Sequence, residues 1–394
     1  MTVRDLDSLL NGGGVKGKRV FVRADLNVPL RAGAISDTTR IEASVPTLRR
    51  LVEAGARVIV ASHLGRPKGV RNPDYSLRPV ATLLADLLAR PVGFVDDCVG
   101  PSAETAANSL ADGDVLLLEN LRFHPGETAN DAEFAKQLAR LADLYVNDAF
   151  GTAHRAHAST AGMVAEFAQV AAGALLELEM SNLDRLFTPE RPFLCLLGGA
   201  KVSDKLGVLE ALIERADVIA VGGAMAYTFL AAAGQGIGKS LVEPDRFDDA
   251  RRIREHAAAG ACRLLLPSDH VVAANPDDGE GALATSEIPD HLLGFDIGPE
   301  TAARFADEAR QAKTILWNGP MGMFEVPAFA AGTATVARAV ASSSARSIVG
   351  GGDSLAAINQ LGLADQIDHL STGGGASLQY VQGRALPGVV ALER

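Results

Sequence analysis

This sequence predicts an α/β protein of two domains, each a parallel sheet covered by helices on both faces, and three observations predict it. The chain has 394 residues, room for two domains of ordinary size. Short continuous apolar runs alternate with helix-period segments through both halves. Continuous runs, unlike strictly alternating ones, mark strands buried on both faces of a parallel sheet. Between the halves, residues 171–187 read as one helix, with Leu176, Met180, Leu183 and Phe187 at helical spacing and Thr188-Pro189 as the stop. The expected parts are therefore 1–170, a joining helix 171–188, a second domain 189–376 and a tail 377–394.

In the first half the apolar runs are 19–22, 57–61, 92–95, 115–118 and 144–146, with helical patterns such as 45–54 and 80–88 between them. Ligands in such sheets sit beyond the carboxyl ends of strands, so the residues after each run carry the information. They are Arg23-Ala-Asp-Leu-Asn-Val-Pro29, Ser62-His-Leu-Gly-Arg-Pro67, Glu119-Asn-Leu-Arg-Phe-His-Pro125 and Asn147-Asp-Ala-Phe-Gly-Thr-Ala-His-Arg-Ala-His157. Four of the five strand ends deliver a basic residue: Arg23, His63 with Arg66, Arg122, and Arg155. Arg40 joins them from a neighbouring loop. One such arginine is an ordinary surface residue; four strand ends on one rim predict a pocket for a small polyanion, because guanidinium forks match phosphate and carboxylate oxygens. Asp25 and Asn27 either orient those arginines and hold a substrate hydroxyl or serve the turn before Pro29.

The second half repeats the alternation with a different ending. Its runs at 193–197, 218–221, 263–266, 314–317 and 347–349, and a last one from Ile367, each lead into glycine or proline. The first is the most informative: Phe193–Leu197, then Gly198-Gly199, then Lys201 and Lys205 ahead of an apolar helical pattern. A strand, glycine turn and helix entry expose free N–H groups and a helix dipole to an anion. Two lysines four apart are expected to share a helix face there. Asp353 and Ser354 follow Gly350-Gly351-Gly352 at the start of another helix, where they read either as a cap or as a phosphate seat with Asp353 on Mg²⁺. Glu325, after Trp317-Asn-Gly-Pro-Met-Gly-Met-Phe324, suits ribose hydroxyls; Trp317 itself reads as core. Two other glycine strings are set aside. Gly12 to Arg19 lacks the P-loop hydroxyl and precedes a strand, and Ala233 to Ser240 follows a helix with Gly234 as its cap.

Composition narrows the function. Hydrophobic residues at 47% and charged ones at 22% fit a soluble, well-cored chain. There is no membrane-length apolar run and no signal-peptide pattern at the start. Cys98, Cys195 and Cys262 are far apart, without metal or disulfide spacing, and suit buried thiols in a reducing cytoplasm. A net charge of -11 argues against nucleic acid and requires any anion site to be made by local basic clustering.

Taken together in chain order, these motifs resemble the phosphoglycerate kinase family, bacterial type, over nearly the whole length. To those quoted above are added Leu197-Gly-Gly-Ala-Lys-Val-Ser-Asp-Lys205, Trp317-Asn-Gly-Pro-Met-Gly322, Gly350-Gly-Gly-Asp-Ser354 and Ser371-Thr-Gly-Gly-Gly-Ala-Ser377. The resemblance implies two Rossmann-like domains joined by a helical hinge, with the tail returning to the first. It implies a cytoplasmic, monomeric glycolytic enzyme that moves a phosphoryl group reversibly between ATP and the carboxylate of 3-phosphoglycerate. Its cofactor is Mg²⁺, with ATP/ADP as co-substrate. Carried over, Arg23, Asp25, Leu26, Asn27, Arg40, His63, Leu64, Gly65, Arg66, Arg122 and Arg155 form the phosphoglycerate site. Lys201, Lys205, Gly298, Asn318, Glu325, Gly351, Gly352, Asp353 and Ser354 form the nucleotide site, with Asp353 at the metal. Arg40, Lys201, Gly374 and Gly375 attend the transfer. Gln379 stands where the family often has glutamate, and Ala24 where valine is more usual.

Overall fold

The structure is a computed structural model that describes residues 3–11, 14–31, 33–277 and 279–393. Gly12 and Gly13 of the first glycine string lie outside them. The chain forms two compact units, Met1–Ser181 with Ala385–Arg394, and Asn182–Arg384.

The first unit is built on six strands: β1 (Arg19–Ala24), β2 (Arg57–Ala61), β3 (Val92–Val95), β4 (Val115–Leu118), β5 (Leu144–Asp148) and β6 (Val170–Ala172). They lie in the order β3-β4-β2-β1-β5-β6, and every pairing is parallel. Parallel neighbours need crossovers, which the helices Thr39–Glu53 and Arg78–Leu88 among others supply. Their apolar faces, through Leu48, Leu51, Val80 and Leu84, bury the sheet residues Val20, Val22, Val58 and Val60. Both faces of β1 and β2 are covered, which is why their sequence runs are continuously apolar. Residues 385–394 join this unit: Gly388 N–H donates to the Ala153 carbonyl at 2.8 Å, and Asn147 Nδ2 donates to the Gly388 carbonyl at 3.2 Å.

The expected helix over 171–187 is shorter than its periodicity. Residues 170–172 are the edge strand β6, paired with Tyr145–Asn147. Gly173 N–H then donates to the Asn147 carbonyl at 2.8 Å, and the helix runs Ala174–Asp184. Only glycine fits at 173, where a Cβ would lie 2.2 Å from Asp148 Oδ1. Phe187 falls in the turn after the helix. The border between the two units lies within this helix.

The second unit carries β7 (Phe193–Leu197), β8 (Val218–Val221), β9 (Arg263–Leu265), β10 (Thr314–Asn318), β11 (Arg346–Gly350) and β12 (His369–Ser371). All are parallel, in the order β9-β8-β7-β10-β11-β12. This is a doubly wound arrangement whose direction reverses between β7 and β10, the place where such sheets open a crevice. Trp317 is fully buried in the core and donates Nε1–H to the Gly319 carbonyl at 2.7 Å. A separate three-stranded antiparallel sheet, His270–Ala273 between Leu283–Thr285 and Leu293–Ile297, was not expected. Its segments are three to five residues long, too short for apolar stretches such as 271–274 to stand out. A two-residue hairpin, Leu30–Arg31 with Ala34–Ile35, is equally silent in the sequence.

Candidate functional site

In the first unit, the loops after β1, β2, β4 and β5 build a basic rim, and small polar side chains knit it. Ser62 Oγ accepts from Leu26 N–H at 2.9 Å, and Asn27 Oδ1 accepts from Gly65 N–H at 2.8 Å. Asn120 Oδ1 accepts from Leu64 N–H at 3.2 Å and Arg122 N–H at 3.0 Å, while its Nδ2 donates to the Leu64 carbonyl at 2.7 Å. Leu26 and Leu64 are thus buried positions that set backbone geometry. Arg23, His63 and Arg122 are all buried.

Arg23 donates Nε–H to Ser159 Oγ at 2.8 Å, one Nη to the Ala24 carbonyl, and its other Nη meets His63 Nδ1 at 3.2 Å. Burial first, then Arg23 and Arg122, hold the His63 imidazolium well below its ordinary range, so the ring is neutral and Nδ1 accepts. Asp25 balances the charge: Oδ2 pairs at 2.8 Å with Nη1 of Arg40, which lies in the first turn of the helix Thr39–Glu53 and not in a loop, and Oδ1 lies 4.0 Å from His63. Arg122 donates Nη1 to the Gly65 carbonyl at 2.8 Å. Its Nε and Nη2 are buried without a partner, as are Asp25 Oδ1, His154 Nδ1 and His157 Nδ1. Burial, reinforced by Arg23 and Arg155, brings the Arg122 guanidinium down to about 10; burial, then Arg122, Arg23 and Arg155, bring His157 to about 4. Buried N–H groups without acceptors among crowded cations are the electrostatic imprint of an anion. Arg155 is half-buried, its Nε donating to His154 Nε2 at 3.1 Å; Arg66 is exposed. A cavity of about 540 Å³ beside this rim is lined by Asn27, Leu64 and Gly65 together with Val28, Pro29 and Tyr75.

In the second unit a cavity of about 410 Å³ opens at the switch point of the sheet. Gly198, Gly199, Lys201 and Lys205 line it after β7, Asn318 and Gly319 after β10, Gly351 to Ser354 after β11, and Gly374 with Gly375 after β12. Gly198 is required by the close approach of two loops, since a Cβ there would lie 1.9 Å from the Pro320 carbonyl oxygen. Lys205 Nζ donates to Asn318 Oδ1, and Asn318 Nδ2 donates to the Gly350 carbonyl at 2.9 Å. Ser354 Oγ accepts from Gly319 N–H at 2.6 Å, so this hydroxyl clamps two loops together. Burial lowers Lys205 to about 8, with Asp204 and Asp353 pulling the other way.

Two expectations change. Lys201 and Lys205 do not share a helix face: the helix begins at Leu206, with Lys205 as its N-cap. Glu243 holds Ser203 by its N–H at 3.1 Å and its Oγ at 2.6 Å, which keeps the segment out of the helical ladder. Asp353 and Ser354 are not the cap of their helix, which runs Gly352–Gln360 with Gly351 at the N-cap and a φ of 95°. Gly298 and Glu325 do not line the cavity. Gly298 opens the helix Pro299–Gln311, whose first N–H groups are taken by the Asp269 carboxylate at 2.8–2.9 Å; Glu325 is exposed on a turn.

Asp353 is exposed in the first turn of its helix at the cavity wall. One hard carboxylate oxygen beside an anion cradle is the donor set of a divalent cation completed by phosphate oxygens and water. Elsewhere, Asp97, Cys98 and His124 bring ligand atoms within 4.8 Å of one another. That trio is closed on itself, Asp97 Oδ1 meeting His124 Nε2 and Cys98 N–H at 2.7 Å each. Residues that the sequence reading left without a role are Ser62, Asn120, Glu127 and Ser159. Ser62 and Asn120 had a signal in position, as small polar groups within the strand-end motifs, whereas Glu127 and Ser159 lie two residues beyond theirs. All three cysteines are buried and unpaired, and no helix among the described residues is long and apolar enough to cross a membrane.

Comparison with known proteins places these two sites in context. The family model described as phosphoglycerate kinase matches residues 10–384. Phosphoglycerate kinase of Desulforudis audaxviator is 54% identical over 396 residues, covering 100% of this chain and 98% of its own. That of Rubrobacter xylanophilus is 55% identical over 394 residues, covering 99% and 97%. The solved structure of phosphoglycerate kinase from Coxiella burnetii superposes with a TM-score of 0.89 at 42% identity, covering 99% of both chains.

Proposed function

Because this chain belongs to the phosphoglycerate kinase family, we propose a division of labour in which the basic rim holds the phosphoryl acceptor and the glycine-lined cavity holds the nucleotide. The chain is a phosphotransferase of glycolysis. It moves a phosphoryl group reversibly between ATP and the carboxylate of 3-phosphoglycerate, forming 1,3-bisphosphoglycerate and ADP. In that step the bond from the γ-phosphorus to the bridging oxygen of ADP breaks and one to the carboxylate oxygen forms. The carboxylate is ionised at neutral pH, so no general base is needed. Catalysis then consists of alignment and compensation of charge on a loose phosphoryl group.

The single observation that supports the acceptor assignment best is the buried, unpartnered Nε–H and Nη2–H edge of Arg122. An anionic group of 3-phosphoglycerate would accept from that edge in a bidentate way, with Arg23, Arg66 and Arg155 sharing its charge. Asp25, Asn27 and neutral His63 serve the hydroxyl and fix the arginines; Leu26, Leu64 and Gly65 hold the loops. On the nucleotide side, Lys205 and the N-terminal turn Gly351 to Ser354 take phosphates, with Asn318 steering Lys205. Gly298 and Glu325 contact the nucleoside from outside the phosphate cavity. Lys201, exposed at the cavity mouth, travels with the transferred group; Arg40 meets it from the acceptor side, and Gly374 with Gly375 line the path.

Asp353 is the residue that would hold Mg²⁺, which when bound neutralises phosphate charge. Donor and acceptor belong to different units, so transfer requires the units to close and exclude water. We further propose a cytoplasmic monomer without nucleic-acid partners, and the net charge of -11 supports the last of these. A coupled assay with ATP, Mg²⁺ and 3-phosphoglycerate tests the function. Turnover that requires all three is expected, and its absence would refute the activity.

A further inference from the structure

The mechanism uses Arg23 but leaves unexplained a carboxylate behind it. Glu127 is fully buried on the short helix that follows Arg122. A buried carboxylate needs strong partners to be retained. Its partners both belong to one residue: Oε2 accepts from Ser159 N–H at 3.0 Å, and Oε1 accepts from Ser159 Oγ–H at 2.6 Å. Ser159 is itself fully buried.

The chemistry of Arg23 sets the direction of these hydrogen bonds. A guanidinium N–H only donates, so Ser159 Oγ accepts the Arg23 Nε–H at 2.8 Å. The hydroxyl proton of Ser159 is then left to point at Glu127 Oε1. With Nε fixed by Ser159 and the two Nη groups directed at the Ala24 carbonyl and His63, the guanidinium plane has a single orientation. We propose that Glu127 and Ser159 are positioning residues for the acceptor site, a relay that sets the plane of Arg23 before 3-phosphoglycerate binds. The relay also supplies buried negative charge among Arg23, Arg122 and His157, whose Nδ1 lies 3.8 Å from Glu127 Oε1. Neither residue has to touch the ligand; both act through Arg23. The proposal rests on the assignment of Arg23 to the acceptor site.

Calorimetric titration of 3-phosphoglycerate and, separately, of ADP into the full-length chain tests it, with melting curves for each variant. Ser159→Ala and Glu127→Gln are each expected to weaken 3-phosphoglycerate binding about tenfold, one charge-assisted hydrogen bond's worth, and to leave ADP binding unchanged. A structural role and a relay differ in additivity. Two steps of one path do not add, so Ser159→Ala with Glu127→Gln is expected to weaken binding no more than the worse single variant. In an Arg23→Lys background, which has no Nε–H, Ser159→Ala is expected to add nothing. Additive losses, or equal losses for ADP, would overturn the relay, and so would unchanged binding in both single variants. If Arg23→Lys does not fold, the first pair of variants decides alone. Arg23→Lys that folds and binds 3-phosphoglycerate normally would instead refute the assignment of Arg23 itself. Normal Ser159→Ala beside a weakened Arg23→Lys refutes only the relay.

Discussion

Arg122→Met separates what the guanidinium does for the ligand from what it does for the fold. In the free chain Arg122 is buried, with a side-chain hydrogen bond to Gly65 and two N–H groups, Nε–H and Nη2–H, unpartnered. A bound phosphate or carboxylate would take both, and hydrogen bonds to charged groups are worth about 1.5–3 kcal/mol each. Losing two therefore costs binding about 3–6 kcal/mol, roughly a hundredfold to ten-thousandfold in affinity. The fold should respond in the opposite sense. Each buried, unsatisfied polar group is destabilising by about 1–3 kcal/mol, and there are two, while the single lost Gly65 bond contributes about 1.5–3 kcal/mol. Methionine fills similar volume with no such groups. The melting temperature is expected to hold or rise, by about 2–4 °C per kcal/mol gained in a unit of this size. The assay is a coupled rate measurement with 3-phosphoglycerate varied at saturating ATP, then the converse, beside a thermal melt. A KM for 3-phosphoglycerate within twofold of the parent would refute the reasoning. So would a variant that loses stability and both substrates together.

The remaining expectations probe the other loops. Lys201→Ala should lower kcat by several orders of magnitude while ADP still binds in calorimetry; near-normal turnover would remove Lys201 from the transfer step. Lys205 titrates near 8 in the free chain because burial disfavours its charged form. A base so depressed loses its proton as pH rises through that value, so ADP affinity should fall about tenfold between pH 7 and 9. Lys205→Met should abolish that slope, and an unchanged slope would assign it elsewhere. Gly352→Ala meets nothing within 4 Å, whereas Gly198→Ala meets the Pro320 carbonyl at 1.9 Å. The first should melt normally yet bind ADP poorly, because its Cβ intrudes where phosphate approaches; the second should destabilise the unit outright. Buried Asp148 is raised from 3.8 to about 7, first by burial. The native carboxyl therefore keeps its proton from about pH 4 to 7 while the unfolded one releases it, and its contribution to stability falls as pH rises through that window. Asp148→Asn keeps an oxygen for Leu175 N–H and should gain melting temperature relative to the parent from pH 5 to 8. A pH-independent difference would refute this.

Much of this was legible because the chemistry sits at strand ends. Arg23, His63, Arg122 and Arg155 each follow a continuous apolar run, and a parallel sheet leaves nowhere else for such runs to lead. Lys205, Asn318, Gly352 and Gly374 follow from the same logic in the second unit. What escaped was set by partners distant in sequence. Lys201 left the expected helix because Glu243, forty residues on, binds Ser203. Gly298 entered only through the resemblance, and the N-terminus of the helix it opens is occupied by Asp269. Glu127 and Ser159 were passed over because a buried carboxylate and its serine are recognisable only once both are seen behind Arg23. The antiparallel sheet stayed hidden because its strands are only three to five residues long.

The central claim is that acceptor and nucleotide are held by separate sets of residues, one in each unit. Crossed calorimetry tests it most directly: 3-phosphoglycerate and ADP titrated separately into Arg122→Met and Lys205→Met. The account predicts that Arg122→Met loses only 3-phosphoglycerate and Lys205→Met only ADP. Loss of both ligands in either variant, or of the opposite ligand, would contradict it.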